Sequence, residues 1–147
     1  MSYFRKSKRG FTLIELMVVV VIIGILALLG LRLYLTQIAK SNNALIKANA
    51  GTVQTTIQAA IADESGAEVA ARWLPPAGEP TSLIAQSGIH NPMTKALQVN
   101  APVDEGAALA GEVWVTWSST DATFTINGRD AAGDANVYDP TSLIAKY

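Results

Sequence analysis

The 147-residue chain has no cysteine and a single histidine. Without cysteine there is no disulfide, no thiol nucleophile and no thiolate metal ligand, so burial and hydrogen bonding must hold the fold. An enzyme built on this chain would need a carboxylate site, and its twelve acids are scattered. No Ser-His-Asp or Cys-His set, zinc spacing or glycine-rich phosphate loop can be assembled, and the chain reads as non-enzymatic, with no cofactor called for. Acid is also missing from the first ten residues, where Arg5, Lys6, Lys8 and Arg9 supply four of the eleven basic residues. Losing those four cations would take the formal charge from −1 to −5, an acidic product with no electrostatic footprint for nucleic acid.

Charge of either sign is absent from residues 16–31, and what stands there is apolar. The segment 11–31 is 21 residues long. As a helix rising ~1.5 Å per residue it crosses a hydrocarbon layer of ~30 Å. The basic cluster ahead of it keeps the N-terminus cytoplasmic by the positive-inside rule. A secretory cleavage site would need small residues just after the run. Ala27-Leu28-Leu29-Gly30 is a poor match, so the run is expected to stay on the product. Glu15 is the anomaly, because an ionised, unpaired carboxylate in lipid is costly and marks a candidate functional site.

Lys8-Arg9-Gly10-Phe11-Thr12-Leu13-Ile14-Glu15-Leu16, followed by an apolar helix, resembles the class III signal of type IV pilins and their pseudopilin relatives. The resemblance covers residues 1–35. It implies that a membrane-embedded prepilin peptidase cuts between Gly10 and Phe11, making residues 1–10 a leader, and methylates the new amine of Phe11. It further implies that Glu15 pairs with the Phe11 amine of a neighbouring subunit. The partners so implied are other copies of the chain in a homopolymer, the peptidase and an inner-membrane assembly platform. The precursor would span the inner membrane once, and the product would form a pilus at the cell surface. Physical chemistry reaches the same pairing, since an α-amine is largely protonated at neutral pH and would supply the cation Glu15 lacks. Losing one partner of such a pair in low dielectric costs about 3–5 kcal/mol, enough to fix register between helices.

One position departs from the family pattern: Arg32 stands where type IV pilins commonly carry a helix-bending proline, although Tyr34 fits. Gly24 and Gly30 weaken a helix without forcing a break, so an uninterrupted helix is expected. The absent cysteines remove the C-terminal disulfide of many pilins. A major pilin is favoured, with the major pseudopilin of a type II secretion system as the alternative. A monomeric membrane-anchored binding protein is the alternative of another class.

Beyond Arg32 the helical period continues as residues 35–64. Ile38, Leu45, Ile46, Val53, Ile57, Ala60 and Ile61 fall on one broad arc, the stripe of an amphipathic helix on a core. Ser65-Gly66-Ala67-Glu68 fits a capping box opening a short second helix that stops at Pro75-Pro76. Residues 74–102 hold five of the six prolines and read as loop, with a helical turn at 82–86 and His90 as a polar loop residue. From residue 112 the period falls to two. Residues 112–118 and 122–127 read as a hairpin, with Val113, Val115 and Trp117 on one face and Phe124 and Ile126 on theirs. Residues 135–138 suggest a third strand, and Trp114 would face solvent or a neighbour. Pro-Thr-Ser-Leu-Ile-Ala occurs twice, at 80–85 and 140–145, and both copies read as helix starts. Asp130, Asp134, Asn136 and Asp139 cluster near glycines. Such oxygens can hold Ca²⁺, as the major pseudopilins of the resembled family do in this region, and the same residues make turns.

The expectation is an α+β fold: a long N-terminal helix, apolar in one half and amphipathic in the other, packed on a small antiparallel sheet of three to four strands, the pilin fold. Its parts are the leader 1–10, an apolar membrane or filament-core helix 11–34, and a head 35–147. The head comprises helix 35–64, loop region 65–111, sheet 112–139 and tail 140–147.

Overall fold

A computed structural model describes residues 10–73, 83–99, 106–139 and 141–146. Helix α1 is Leu13–Asp63, α2 is Gly66–Trp73 and α3 is Leu83–Ser87; strands β1, β2 and β3 are Val113–Ser118, Thr123–Gly128 and Leu143–Lys146. The architecture is α+β, a long N-terminal helix with a three-stranded antiparallel sheet in the order β1-β2-β3. Arg32 lies inside α1, which carries no proline and is not interrupted there. The chain divides into two compact units, Met1–Gln37 and Ile38–Tyr147.

In the second unit the core grows from the helix stripe. Ile46, Ala50, Val53 and Ile57 are all fully buried, at spacings of four and three that keep them on one helix face. Ala50, Val53 and Ile57 share one cluster with Val113, Val115, Phe124 and Ile126, the alternate residues of the hairpin that share the inner face. Each such side chain removed from water contributes about 1.5–3 kcal/mol. Ala60 and Ile61 pack at the edge of this cluster. Ile38 and Leu45, expected in the stripe, are instead 40% and 48% exposed. The arc was drawn too wide: Leu45 sits one residue, about 100° of helix, from Ile46, and the small Ala50 fills the core line instead. Gly128 passes so close to the Ile46 side chain that a Cβ there would collide with it, which ties the end of β2 to the helix.

The hairpin follows the expected faces, with Val113 opposite Gly128 and Trp117 opposite Phe124. Trp117 and Phe124 rings pack at 4.4 Å between centroids, at the close limit of favourable aromatic pairs. Trp114 faces the other way but is buried, not presented to solvent, and its Nε1 donates to Asn136 Oδ1 at 3.2 Å. The segment after β2 folds over it, a long-range covering that strand alternation alone does not reveal.

The third strand is not at 135–138. Those residues form turns, apart from one isolated bridge between Arg129 and Asn136. It is Leu143–Lys146, which pairs with β2 through Ile126↔Leu143 and Phe124↔Ala145. The repeated hexapeptide therefore takes two conformations: Leu83-Ile84-Ala85 is helical, whereas Leu143-Ile144-Ala145 is strand. The reading of both copies as helix starts fails for the second. Adjacent Leu83 and Ile84 are both buried, as on a helix face. Gly88, in the left-handed region at φ 68°, follows that helix, and its N–H bonds to Ala85 O. In the second copy an open edge of β2 supplies ladder partners, and burial alternates. Tertiary context overrides an ambivalent local sequence.

The capping box at Ser65 forms as expected: Ser65 N–H donates to Glu68 Oε2 at 3.0 Å and Glu68 N–H to Ser65 Oγ at 3.4 Å. Gly66 is required beside it, because a Cβ would lie 2.5 Å from the Trp117 ring. The expected stop at Pro75-Pro76 lies outside the described residues.

Carboxamides then fasten the loops. On α1, Asn43 Oδ1 accepts from Ala131 N–H, Asn49 Nδ2 donates to His90 O, and Gln54 Nε2 donates to Ile144 O. Gln98 exchanges two bonds with the Val113 backbone on the free edge of β1, standing in for a neighbouring strand. Asn127, 2% exposed, accepts from Gly128 and Tyr138 N–H and donates to Tyr138 O and Ser142 Oγ.

Candidate functional site

The first unit contains the candidate residues Gly10, Phe11 and Glu15. Gly10, Phe11 and Thr12 precede the helix, and Phe11 is 86% exposed. Thr12 is the N-cap. Its backbone N–H and its hydroxyl both donate to Glu15 Oε2 at 2.8 Å, and Glu15 N–H donates back to Thr12 Oγ1 at 3.3 Å. This is a reciprocal capping box, with the acid in the first turn where the positive end of the helix dipole favours it. Glu15 therefore has a partner inside its own chain. The signal was present in the sequence as Thr-x-x-Glu, the same pattern read at Ser65, but the apolar context drew attention to a partner on another chain.

Beyond the cap, the side chains of residues 16–31 offer nothing but apolar surface. From Leu13 to Leu35 the large apolar residues range from 46% exposed at Val19 to 76% at Leu13. Every face of the helix is apolar and none is covered, the composition of a helix that needs lipid or other helices around it. It is long and apolar enough to cross a membrane. A capped helix start, a carboxylate and an uncovered apolar shaft are thus placed in sequence.

The other candidates behave differently. Asp130 Oδ1 accepts from Asp134 N–H at 3.0 Å and from Ala135 N–H at 3.3 Å, so this carboxylate closes its own turn. Asp134 and Asp139 are exposed, and among the described residues no three acidic, histidine or cysteine side chains converge. His90 lies in the bridge to Leu97, with Nδ1 bonded to Gly88 O at 2.9 Å.

An apolar helix with this capped, acid-bearing start has the length and composition to enter a membrane or to pack among other helices. Residues 5–31 match the family described as the prokaryotic N-terminal methylation motif. Among curated proteins, the chain is similar to the type IV major fimbrial protein FimA of Dichelobacter nodosus, 43% identical over 59 residues that cover 40% of this chain and 38% of the relative. It is similar to the type IV major alpha-pilin of Moraxella bovis, 42% identical over 55 residues, 37% of this chain and 35% of that one. A third relative, fimbrial protein EcpB of Eikenella corrodens, is 42% identical over 56 residues, 38% and 35% of the two chains. The chain thus spans less than two-fifths of the length of each of these relatives. No solved structure matches it significantly. Residues 5–31 thus carry the prokaryotic N-terminal methylation motif, and the chain is similar to fimbrial proteins and a pilin of three organisms.

Proposed function

We propose that this chain is a structural subunit of a type IV pilus, a major pilin, built into a homopolymer through its N-terminal helix. The observation that carries the reading is the uncovered apolar shaft behind the capped Glu15. Its match to the methylation motif and the fimbrial names of its relatives support it. Residues 1–10 act as a leader, a prepilin peptidase cuts between Gly10 and Phe11, and Phe11 is N-methylated. Before assembly the helix spans the inner membrane with the head outside the cytoplasm. An assembly platform there extracts the subunit into a filament at the cell surface, where the shaft exchanges lipid for neighbouring helices. The fimbrial relatives favour a pilus over a secretion pseudopilus.

Glu15 acts in two stages. Its Oε2 is held by Thr12 in the lone subunit, which fixes the carboxylate at the helix start. One oxygen is enough for that cap, and the other is free to accept from the Phe11 amine of an adjoining copy, setting axial register while hydrocarbon packing holds the shaft. Glu15→Ala should leave the precursor inserted and processed, with filament yield reduced by about tenfold or more, since losing one partner of such a pair costs about 3–5 kcal/mol. Sheared-filament yield and N-terminal sequencing check this. A mature product beginning at methylated Phe11 with normal Glu15→Ala filaments would refute the pairing, and retention of Met1 on the assembled product would refute the processing.

A further inference from the structure

A groove of about 360 Å³ lies in the second unit between α1 and the turn that follows α3. Residues 38–147 carry eleven acids against six lysines and arginines, yet no acid lines this groove, whereas Lys95 and His90 do. Among the described residues no carboxylate pairs with Lys95.

Lys95 also occupies a backbone conformation that lysine disfavours, φ 62°, where glycine or asparagine would fit without strain. The turn is rigidly built around it. Asn91 N–H bonds to Ala96 O and Lys95 N–H to Asn91 O, while Asn91 Oδ1 takes the N–H groups of Met93 and Thr94. A strained position held this firmly, with an unpaired cation on it, points to use of the side chain.

Most donors of the remaining polar lining are engaged within the fold. The hydroxyls of Thr52 and Ser87 donate to Ala48 O and Ile84 O. Asn49 Nδ2 donates to His90 O. His90 Nδ1 faces Gly88 O, an acceptor only, so it carries the proton and leaves Nε2 an acceptor in the neutral ring. What stays unfilled is mostly acceptor capacity, namely two hydroxyl oxygens, the Asn49 carbonyl oxygen and His90 Nε2, beside one N–H of Asn49 Nδ2. Leu45 and Pro92 add apolar wall.

We propose that this groove binds an acidic sugar, a pyranose ring carrying one carboxylate. Lys95 takes the carboxylate, the acceptors take ring hydroxyls, and Leu45 and Pro92 meet the C–H face of the ring. Sulfate and chloride lack hydroxyl donors for this lining, phosphate has too few to meet its spread acceptors, and neutral sugars lack the charge. The site does not depend on filament assembly and stands or falls separately from it.

The test is calorimetric titration of the detergent-solubilised full chain with glucuronate, glucose and acetate. Glucuronate should bind saturably and at least about tenfold more tightly than either of the others, as expected of a hydrogen bond to a charged group. Lys95→Gln should reduce its affinity to that of glucose, and Lys146→Gln should leave it unchanged. Lys95→Gly should lose binding equally while raising the melting temperature, which separates loss of the ligand contact from misfolding. Absence of saturable glucuronate binding would overturn the proposal. So would equal affinity for glucose or acetate, or unaltered binding by Lys95→Gln.

Discussion

The two stretches of α1, one in each compact unit, obey the same backbone geometry and opposite chemistry. Between Leu13 and Leu35 the large side chains other than Glu15 and Arg32 are apolar and exposed, whereas between Ile46 and Ile57 a narrow line of four is fully buried and the rest is polar apart from Ala48 and Gly51. The first stretch contributes nothing to the core of the second unit, because none of its residues enters that cluster. Helix propensity alone cannot explain why both stretches belong to one element. The second is held by its packed face, while the first is held by its own ladder, its Thr12 cap and the lipid or helices its surface requires.

This contrast is broken most directly by one truncation made twice. Ile57→Ala removes a side chain with no exposure from the centre of the cluster and should cost the head about 2–5 kcal/mol, transfer and cavity together. Ile23→Ala deletes the same atoms from a residue that is 60% exposed and should change head unfolding by less than about 0.5 kcal/mol. Denaturant unfolding of the detergent-solubilised chain, followed by fluorescence of Trp114 and Trp117, measures both. Comparable losses would mean that the apolar stretch supports the head after all.

A second, smaller effect tests the polar fastening found only in the second unit. Asn127→Ala leaves the Tyr138 and Gly128 N–H groups without their acceptor and frees Ser142, for a loss of about 1–3 kcal/mol. Amide exchange should accelerate at Tyr138 first, since its N–H is the one held across the turn by this side chain. If exchange there is unchanged, the carboxamide is not what pins the segment between β2 and β3.

Legibility in the sequence divides along the same line. Periodicity is local, so the helix, the hairpin with its faces and the Ser65 box could be read before any coordinates. The repeated Leu-Ile-Ala could not, because the choice between helix and strand rests on whether β2 offers an edge, a fact more than a dozen residues away. Ala50 was missed and Leu45 misplaced for a related reason. A small residue gives no hydropathy signal, and a period of 3.6 leaves the border of a face uncertain by one residue. The carboxamide bonds of Asn43, Asn49, Gln54 and Gln98 span long sequence separations, beyond what any local pattern carries. At the candidate site the spacing of Gly10, Phe11 and Glu15 was legible from the family resemblance, yet the internal partner of Glu15 was overlooked although its pattern is local.

The smallest and sharpest comparison is between two capping boxes with the same pattern of bonds. Thr12-x-x-Glu15 opens a helix in the uncovered unit; Ser65-x-x-Glu68 opens α2, whose Val69 and Ala70 enter the core. Loss of a cap matters to global stability only where the helix it starts is part of what unfolds. Ser65→Ala should therefore destabilise the head by about 1 kcal/mol, and Thr12→Ala should leave head unfolding unchanged. Acid provides an independent check on the Ser65 box. The Ser65 hydroxyl, and after it the Ser65 backbone N–H, donate to Glu68 and hold its carboxyl below the usual carboxylate range. A carboxyl depressed in the folded state adds stability above its unfolded pKa and loses it as pH falls through the lower folded value. Stability of the parent chain should fall with acid across that window by more than stability of Glu68→Gln, which lacks the titrating group. Parallel pH profiles for the two proteins would mean that the Glu68 carboxylate does not cap α2 in solution, and the difference between the two boxes would then have to be sought elsewhere than in packing.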